Sequence, residues 1–269
     1  GRHGLETLPD GNLVFASIEA RNRDLWTLDL DNNSKTQLTK GFTLINQNPF
    51  VDSENGHIYF ISSEKKIRQI KRMDLDGGNQ IEITSGKDYT DFFPKKAPND
   101  NLLYFIRKKE GRSSIWKKQL PEGAEEQVNF GIKADQFRYF TISPDGKYIA
   151  IRIDGNGQVT GNPALMGGKM RIAIASMRMS DFEPKYFTLP SQRMSIRWSS
   201  ESNAIDFIES TAEGSKIRRQ MVFEDKPSEI VADIPDIQVL NFVWMPNGKD
   251  MAIADINTKN DVILLSDLF

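Results

Sequence analysis

An all-β fold, a six-bladed β-propeller of four-stranded antiparallel blades, is predicted by three periodic features of this 269-residue chain. Turn glycines recur: Gly11, Gly56, Gly146 and Gly248 close the tetrapeptides Leu-Pro-Asp-Gly, Ser-Glu-Asn-Gly, Ser-Pro-Asp-Gly and Met-Pro-Asn-Gly, at steps of 45, 90 and 102 residues. Phe15, Phe60 and Phe105 keep the step of 45, and Phe207 follows 102 residues later. Trp26 and Trp116 lie 90 residues apart. The longest step is two periods plus an insertion of 12 residues. A period near 45 that carries a turn and then successive apolar strands marks a propeller blade, because one four-stranded sheet cannot bury both faces and must stack on its neighbours.

In each unit a short inner strand runs into the turn, where proline presets φ and glycine takes the positive φ. A second strand rich in β-branched and aromatic residues follows, at 13–15, 58–61, 102–105, 148–151, 205–208 and 251–253. The third strand comes at 25–28, 70–73, 115–117, 172–174, 217–220 and 262–265, and an outer fourth at 37–39, 81–84, 127–128, 186–188 and 229–231. These place blades at about 1–45, 46–90, 91–135, 136–192, 193–237 and 238–269, in one domain. Six periods plus the insertion need 282 residues, 13 more than are present, and the shortfall falls on the fourth strand of the last blade. The chain is therefore expected to be the carboxy-terminal part of a longer protein, with that outer strand missing or supplied from elsewhere and an exposed sheet edge if it is not.

Composition excludes several classes. The chain has no cysteine, so disulfides and thiolate metal sites are ruled out. No run approaches the roughly 18 apolar residues of a membrane span, and no secretory signal is visible, so direct membrane insertion of this domain is not expected. A net charge of −2 gives no case for a nucleic-acid partner. Residues 56–120 nevertheless hold 14 Lys and Arg against 8 Asp and Glu, which reads as a solvated rim or, alternatively, as a docking surface for an acidic partner.

Catalysis finds little to work with. No Gly-x-Ser-x-Gly elbow occurs, and the only histidines are His3 and His57, too few for a histidine-held metal in a channel. Asp74-Leu-Asp-Gly-Gly-Asn79 imitates a calcium loop, but Asp29-Leu-Asp-Asn-Asn33 occupies the same repeat position, so turn chemistry explains both. The stretch from Asp154 to Thr160 lacks the glycine and the acidic twelfth residue of such a loop, with Val159 and Leu165 at those places. No enzymatic activity, metal or cofactor is expected.

Leu8-Pro-Asp-Gly11, Arg23-Asp-Leu-Trp-Thr-Leu-Asp-Leu30 and Gln37-Leu-Thr39 resemble the TolB-like, WD-related propeller repeat. Ile142-Ser-Pro-Asp-Gly-Lys-Tyr-Ile-Ala150 and the ending from Gly248 to Asp267 reinforce the resemblance, which covers essentially the whole chain. Its nearest resemblance is to the propeller region at the carboxy terminus of bacterial membrane-anchored Ser/Thr kinases and winged-helix transmembrane regulators. Asp52-Ser-Glu-Asn, Ala97-Pro-Asn-Asp and Ser199-Ser-Glu-Ser depart from the Pro-Asp-Gly turn. The resemblance implies an extracytoplasmic or periplasmic, noncatalytic binding or sensory module of a bacterial signalling protein, with a protein or peptide partner or a small-molecule ligand. A TolB-like propeller in an envelope protein complex is the alternative, ahead of a peptidase propeller or a propeller lyase.

In a propeller the links between blades and the 12-residue insertion emerge on one face. His3, Asn48, Asp91, Phe92, Arg138, Met166, Arg193 and Gln238 are therefore expected to ring one mouth of the channel as a binding site for a peptide or small anion. The competing reading has Phe92 and Phe137 cap blade interfaces while the charged residues face water. Trp26 and Trp116, recurring at the repeat interval, are expected to pack between blades.

Overall fold

Every residue is described by the computed structural model except 1–3, 20, 21, 41–44, 65, 66, 135, 155–168, 180, 192, 194, 256–261 and 267–269. The described residues form 23 strands and no helix. The first eight are β1 (Leu5–Thr7), β2 (Leu13–Glu19), β3 (Asn22–Asp29), β4 (Ser34–Gln37), β5 (Ile45–Asp52), β6 (His57–Glu64), β7 (Ile67–Asp74) and β8 (Ile81–Glu82). Three four-stranded sheets follow: β9 (Thr90–Lys96) to β12 (Glu125–Val128) through β10 (Leu102–Lys109) and β11 (Arg112–Gln119); β13 (Gln136–Ile142) to β16 (Lys185–Leu189) through β14 (Tyr148–Asp154) and β15 (Met170–Ser176); and β17 (Ile196–Trp198) to β20 (Glu229–Pro235) through β18 (Ala204–Ser210) and β19 (Gly214–Met221). A three-stranded sheet, β21 (Val239–Trp244), β22 (Met251–Asp255) and β23 (Val262–Leu265), completes the series.

The ladders do not make the six separate blades expected from the repeat. They close five sheets, and only four of these have four strands or more. The difference arises at one point. Strands β1–β4 and β5–β8 are each antiparallel meanders, but β3 and β5 run parallel and bond at Arg23 and Ile45, which fuses the two meanders into one eight-stranded sheet. The Arg23 guanidinium also donates to the Gln47 side chain beside that join.

Repeated local devices explain why the strands form where they do. In the turns, Gly11 donates to the Leu8 carbonyl, Gly146 to that of Ser143 and Gly248 to that of Met245, each with φ between 67° and 87°. Ser202 takes the same turn position without being glycine, at φ 57°, and donates to the Ser199 carbonyl at 3.0 Å. At the outer edge, Thr39 Oγ1 accepts the Leu25 amide and Thr84 Oγ1, one period later, accepts that of Ile70, both at 3.0 Å. These buried hydroxyls occupy backbone donors that the short outer strands leave over. The calcium-like loops use their oxygens locally: Asp29 Oδ1 accepts the amides of Asp31 and Asn32, and Asp76 Oδ1 that of Gly78.

The strands gather into two compact units, one of residues 1–96, 107–110 and 240–269, the other of 97–106 and 111–239. In the first, Phe60, Val14, Leu25, Ile58 and Met73 form a core between the two fused meanders. A second core joins Leu5, Leu13 and Phe15 to Val243, Met245 and Ala252, with Trp26 packed against it. In the second unit Tyr148 gathers Phe223, Phe182 and Trp198 at ring separations of 4.8, 5.7 and 6.3 Å. The Trp198 indole N–H donates to the Thr141 carbonyl.

Tyr59 and Tyr104, one period apart, are both buried and both have their phenol pKa pushed up to about 12. Burial is the main cause, followed by the nearby carboxylates of Asp52 and Asp100 respectively. An unfolded tyrosine ionises near 10. The folded value is higher, so the stability these groups contribute is complete below about pH 10 and is lost as pH rises through 12. Absorbance titration at 295 nm should show two phenols ionising near 12, each transition removed by Tyr59→Phe or Tyr104→Phe. Ionisation of both near 10 in the folded protein would contradict this environment.

Candidate functional site

The residues expected at a channel mouth fall in both units. In the first, Asn48 sits in a β-bulge where two residues of β5 oppose one of β6, between the pairs Gln47–Ile61 and Phe50–Tyr59, and it adopts φ 52°. Phe93, one period on, adopts φ 54°. Asp91 does not face a mouth. It is 0% exposed and is held by Arg107, whose Nε and Nη2 meet its two oxygens at 2.8 and 2.9 Å. The Arg107 guanidinium in turn lies 3.5 Å from the centre of the Tyr89 ring. Both oxygens are engaged and the carboxylate is out of water, so Asp91 is a structural anchor. Phe92 is half-buried and lies 5.0 Å beneath the Arg68 guanidinium.

In the second unit Gln238 is also committed. Its Nε2 donates to the carbonyls of Thr211 and Gly214 at 2.9 and 3.1 Å, while the Val239 amide donates to Ser215 Oγ. The same latch occurs earlier in the chain: Gln136 Nε2 donates to the Gly111 carbonyl and the Phe137 amide to Ser113 Oγ. Each glutamine ties the link entering one sheet to the hairpin of the sheet before it. His3 and Met166 lie outside the described residues.

Arg138 and the backbone of Arg193 both lie beside a residue that sequence reasoning missed, Arg152. The β13–β14 register runs Phe137–Ile153 and then Tyr139–Arg152, which leaves Arg138 as the bulged residue. A bulge re-aims its side chain, and here Arg138 Nε meets Asp154 Oδ2 at 2.5 Å with both side chains substantially exposed. Arg152 is half-buried, and its Nη1 donates to the Arg193 carbonyl at 3.4 Å. Arg193 Nε donates to Ser210 Oγ at 3.2 Å. The Arg152 pKa is depressed by burial; the nearby Asp154 carboxylate acts in the opposite sense, and the like charge of Arg138 offsets part of that. A guanidinium stays protonated regardless, so the depression reports the cost of taking its charge partly out of water. Period-2 patterning gave no signal for Arg152, since it reads as one outward position of a strand.

The basic stretch is less free than its composition suggests. Lys95 pairs with Glu6 at 2.9 Å, Lys96 with Glu54 at 2.7 Å, and Arg107 with Asp91. Lys117 and Lys118 pair across β11 and β12 with Glu126 and Glu125. A cavity of about 280 Å³ opens in the second unit between these strands and β13, lined by Ile115 and Ile151 and, among polar residues, by Ser113, Ser114, Gln127 and Asn129. Phe137 lines it too, and the three arginines do not.

No protein-family model and no curated protein matches the chain. Solved structures do. TolB from Acinetobacter baumannii superposes with a TM-score of 0.64 at 17% identity, over 81% of this chain and 51% of that one. The fold is that of a TolB-like β-propeller. A chain of a nidogen–laminin complex matches this propeller with a TM-score of 0.68 at 11% identity, over 95% and 89% of the two chains. An oligogalacturonate lyase in complex with manganese matches at 0.61 and 12%, over 99% and 75%. The propeller thus spans about half the length of the Acinetobacter TolB. At these identities the likeness is one of fold, and fold alone does not carry function. Among the described residues no helix is long and apolar enough to cross a membrane.

Proposed function

We propose that this propeller is a noncatalytic module that binds a protein or peptide partner, and that it serves as the sensory part of a bacterial signalling protein on the extracytoplasmic side of the membrane. The observation that carries the binding reading is the arginine group of the second unit: Arg138 on β13 and Arg152 on β14 beside the Asp154 carboxylate, with Arg152 bonded to the backbone carbonyl of Arg193 just before β17. Such an arrangement suits recognition of an anionic group, since strand-borne side chains hold their geometry and arginine presents a planar fork. Asn48 and Phe92 in the first unit and Arg138 and Arg193 in the second are the residues we assign to binding surfaces. Asp91 and Gln238 support them from within the fold.

A second reading, a propeller acting in an envelope protein complex, is favoured by the two TolB structures among the matches. The propeller also matches a lyase and a puromycin-hydrolysing peptidase. Its histidines number only two, and that poverty speaks for binding over either chemistry.

Immobilised propeller and an Arg138→Ala/Arg193→Ala double variant, each crosslinked in envelope extract of the source cell, test the proposal. A partner retained by the first and lost from the second is the expected result. Retention of the same proteins by both would remove these arginines from the binding surface.

A further inference from the structure

Arg152 is expensive to keep where it is. It is half-buried, burial penalises its charge, and Asp154, the carboxylate that attracts it, is bonded by Arg138 Nε, whose own charge offsets part of that attraction. Its one hydrogen bond among the described residues, to the Arg193 carbonyl, is long at 3.4 Å and uses only Nη1 of the guanidinium. Arg138 likewise spends Nε and, among the described residues, keeps both terminal nitrogens for other acceptors. A purely structural role would be met as well by an uncharged side chain, because burying an unmatched charge costs more than a single long bond returns. The group therefore carries more positive charge than its own carboxylate balances, in a partly desolvated place where charge-assisted bonds are strong.

We propose that Arg152, flanked by Arg138 and held by the backbone carbonyl of Arg193, is a carboxylate-recognition site of the second unit, and that the partner places a peptide carboxylate there. Arg152 supplies the fork that grips the two oxygens, and Arg138 adds a second donor from the bulge in β13. Asp154 orients Arg138. The ligand's carboxylate comes from an acidic side chain or from a chain terminus, and the chemistry of the site is the same for both. This inference rests on the binding reading above and narrows it to one chemical class.

The test uses the intact propeller and three probes: acetyl-Ala-Glu-Ala-amide, acetyl-Ala-Ala-Ala with a free terminal carboxylate, and inorganic phosphate. Binding of either peptide by calorimetry, lost at least about tenfold when Glu becomes Gln or the terminus is amidated, is the expected result, a tenfold loss being about 1.4 kcal/mol. Whichever peptide binds identifies the source of the carboxylate. Arg152→Met should lose that binding by at least about tenfold while its thermal midpoint stays unchanged or rises, the signature of a residue kept for function at a cost in stability. Three results would overturn the site: neither peptide binding below about 10 mM, phosphate binding without either peptide, or an Arg152→Met variant that loses stability and keeps its affinity. A crosslinked partner retained equally by wild type and Arg152→Met would leave the binding module standing and remove this site alone.

Discussion

Asp91→Ala is expected to lower the unfolding free energy by about 3–5 kcal/mol, the cost of stranding a buried charge. Asp91 is 0% exposed and the Arg107 side chain only 6%, so water has little access to replace the lost partner. The stacking of Arg107 on Tyr89 holds the guanidinium in place and keeps it from swinging out to solvent. Asp206→Ala offers an internal comparison. Asp206 is equally buried and equally bidentate with Arg219, but the Arg219 side chain is 29% exposed. Its loss should therefore cost clearly less. Urea unfolding followed by tryptophan fluorescence measures both. Asp91→Leu combined with Arg107→Met should recover most of the stability, because a pair removed together leaves no uncompensated charge. A cost for Asp91→Ala no greater than for Asp206→Ala would mean that burial of the partner does not set the penalty. Below its unfolding midpoint, Asp91→Ala should still capture whatever partner the wild type captures, since the carboxylate has no surface to offer one.

Phe60→Ala should destabilise by about 3–5 kcal/mol, the range for emptying a packed phenylalanine site. Phe60 is 1% exposed and lies in the core that joins the two fused meanders, with Val14, Leu25, Ile58 and Met73 around it. Main-chain strands ring this site, and their ladders resist the inward collapse that would shrink the cavity. Phe60→Leu, which keeps most of the volume, should cost less than half as much. The same substitution at Phe15, Phe105 or Phe207, each at most 1% exposed, should cost a similar amount, because the repeat places all four rings in the same kind of site. A loss for Phe60→Ala of under about 1 kcal/mol would show that the site closes up and that the repeat position is not a packing requirement.

Much of the strand architecture is legible in short stretches of chain. The second strands at 13–15, 58–61, 102–105, 148–151, 205–208 and 251–253 all fall within β2, β6, β10, β14, β18 and β22, and the third strands fall within β3, β7, β11, β15, β19 and β23. Alternation, β-branched residues and turn glycines are local signals, so a few consecutive residues suffice to read them. The outer strand of the first unit is read less well: 37–39 was expected and β4 spans Ser34–Gln37. A short polar strand carries little apolar pattern to place its ends.

The sheet count and the chemistry of the site depend on contacts that no local pattern encodes. Fusion of the first two meanders hangs on one parallel pair, Arg23 with Ile45, across 22 residues. Asp91 reads as a mouth residue until Arg107, 16 positions away, is seen to enclose it. Gln238 reads as a free amide until its bonds to Thr211 and Gly214 appear, 27 and 24 positions back. Arg138 reaches Asp154 through a bulge that the strand pattern does not announce, and Arg152 meets the Arg193 carbonyl 41 residues on. Whether a polar group is spent or available is settled by the partner that folding brings to it, and the burial that gives such pairs their strength exists only once the sheets have packed.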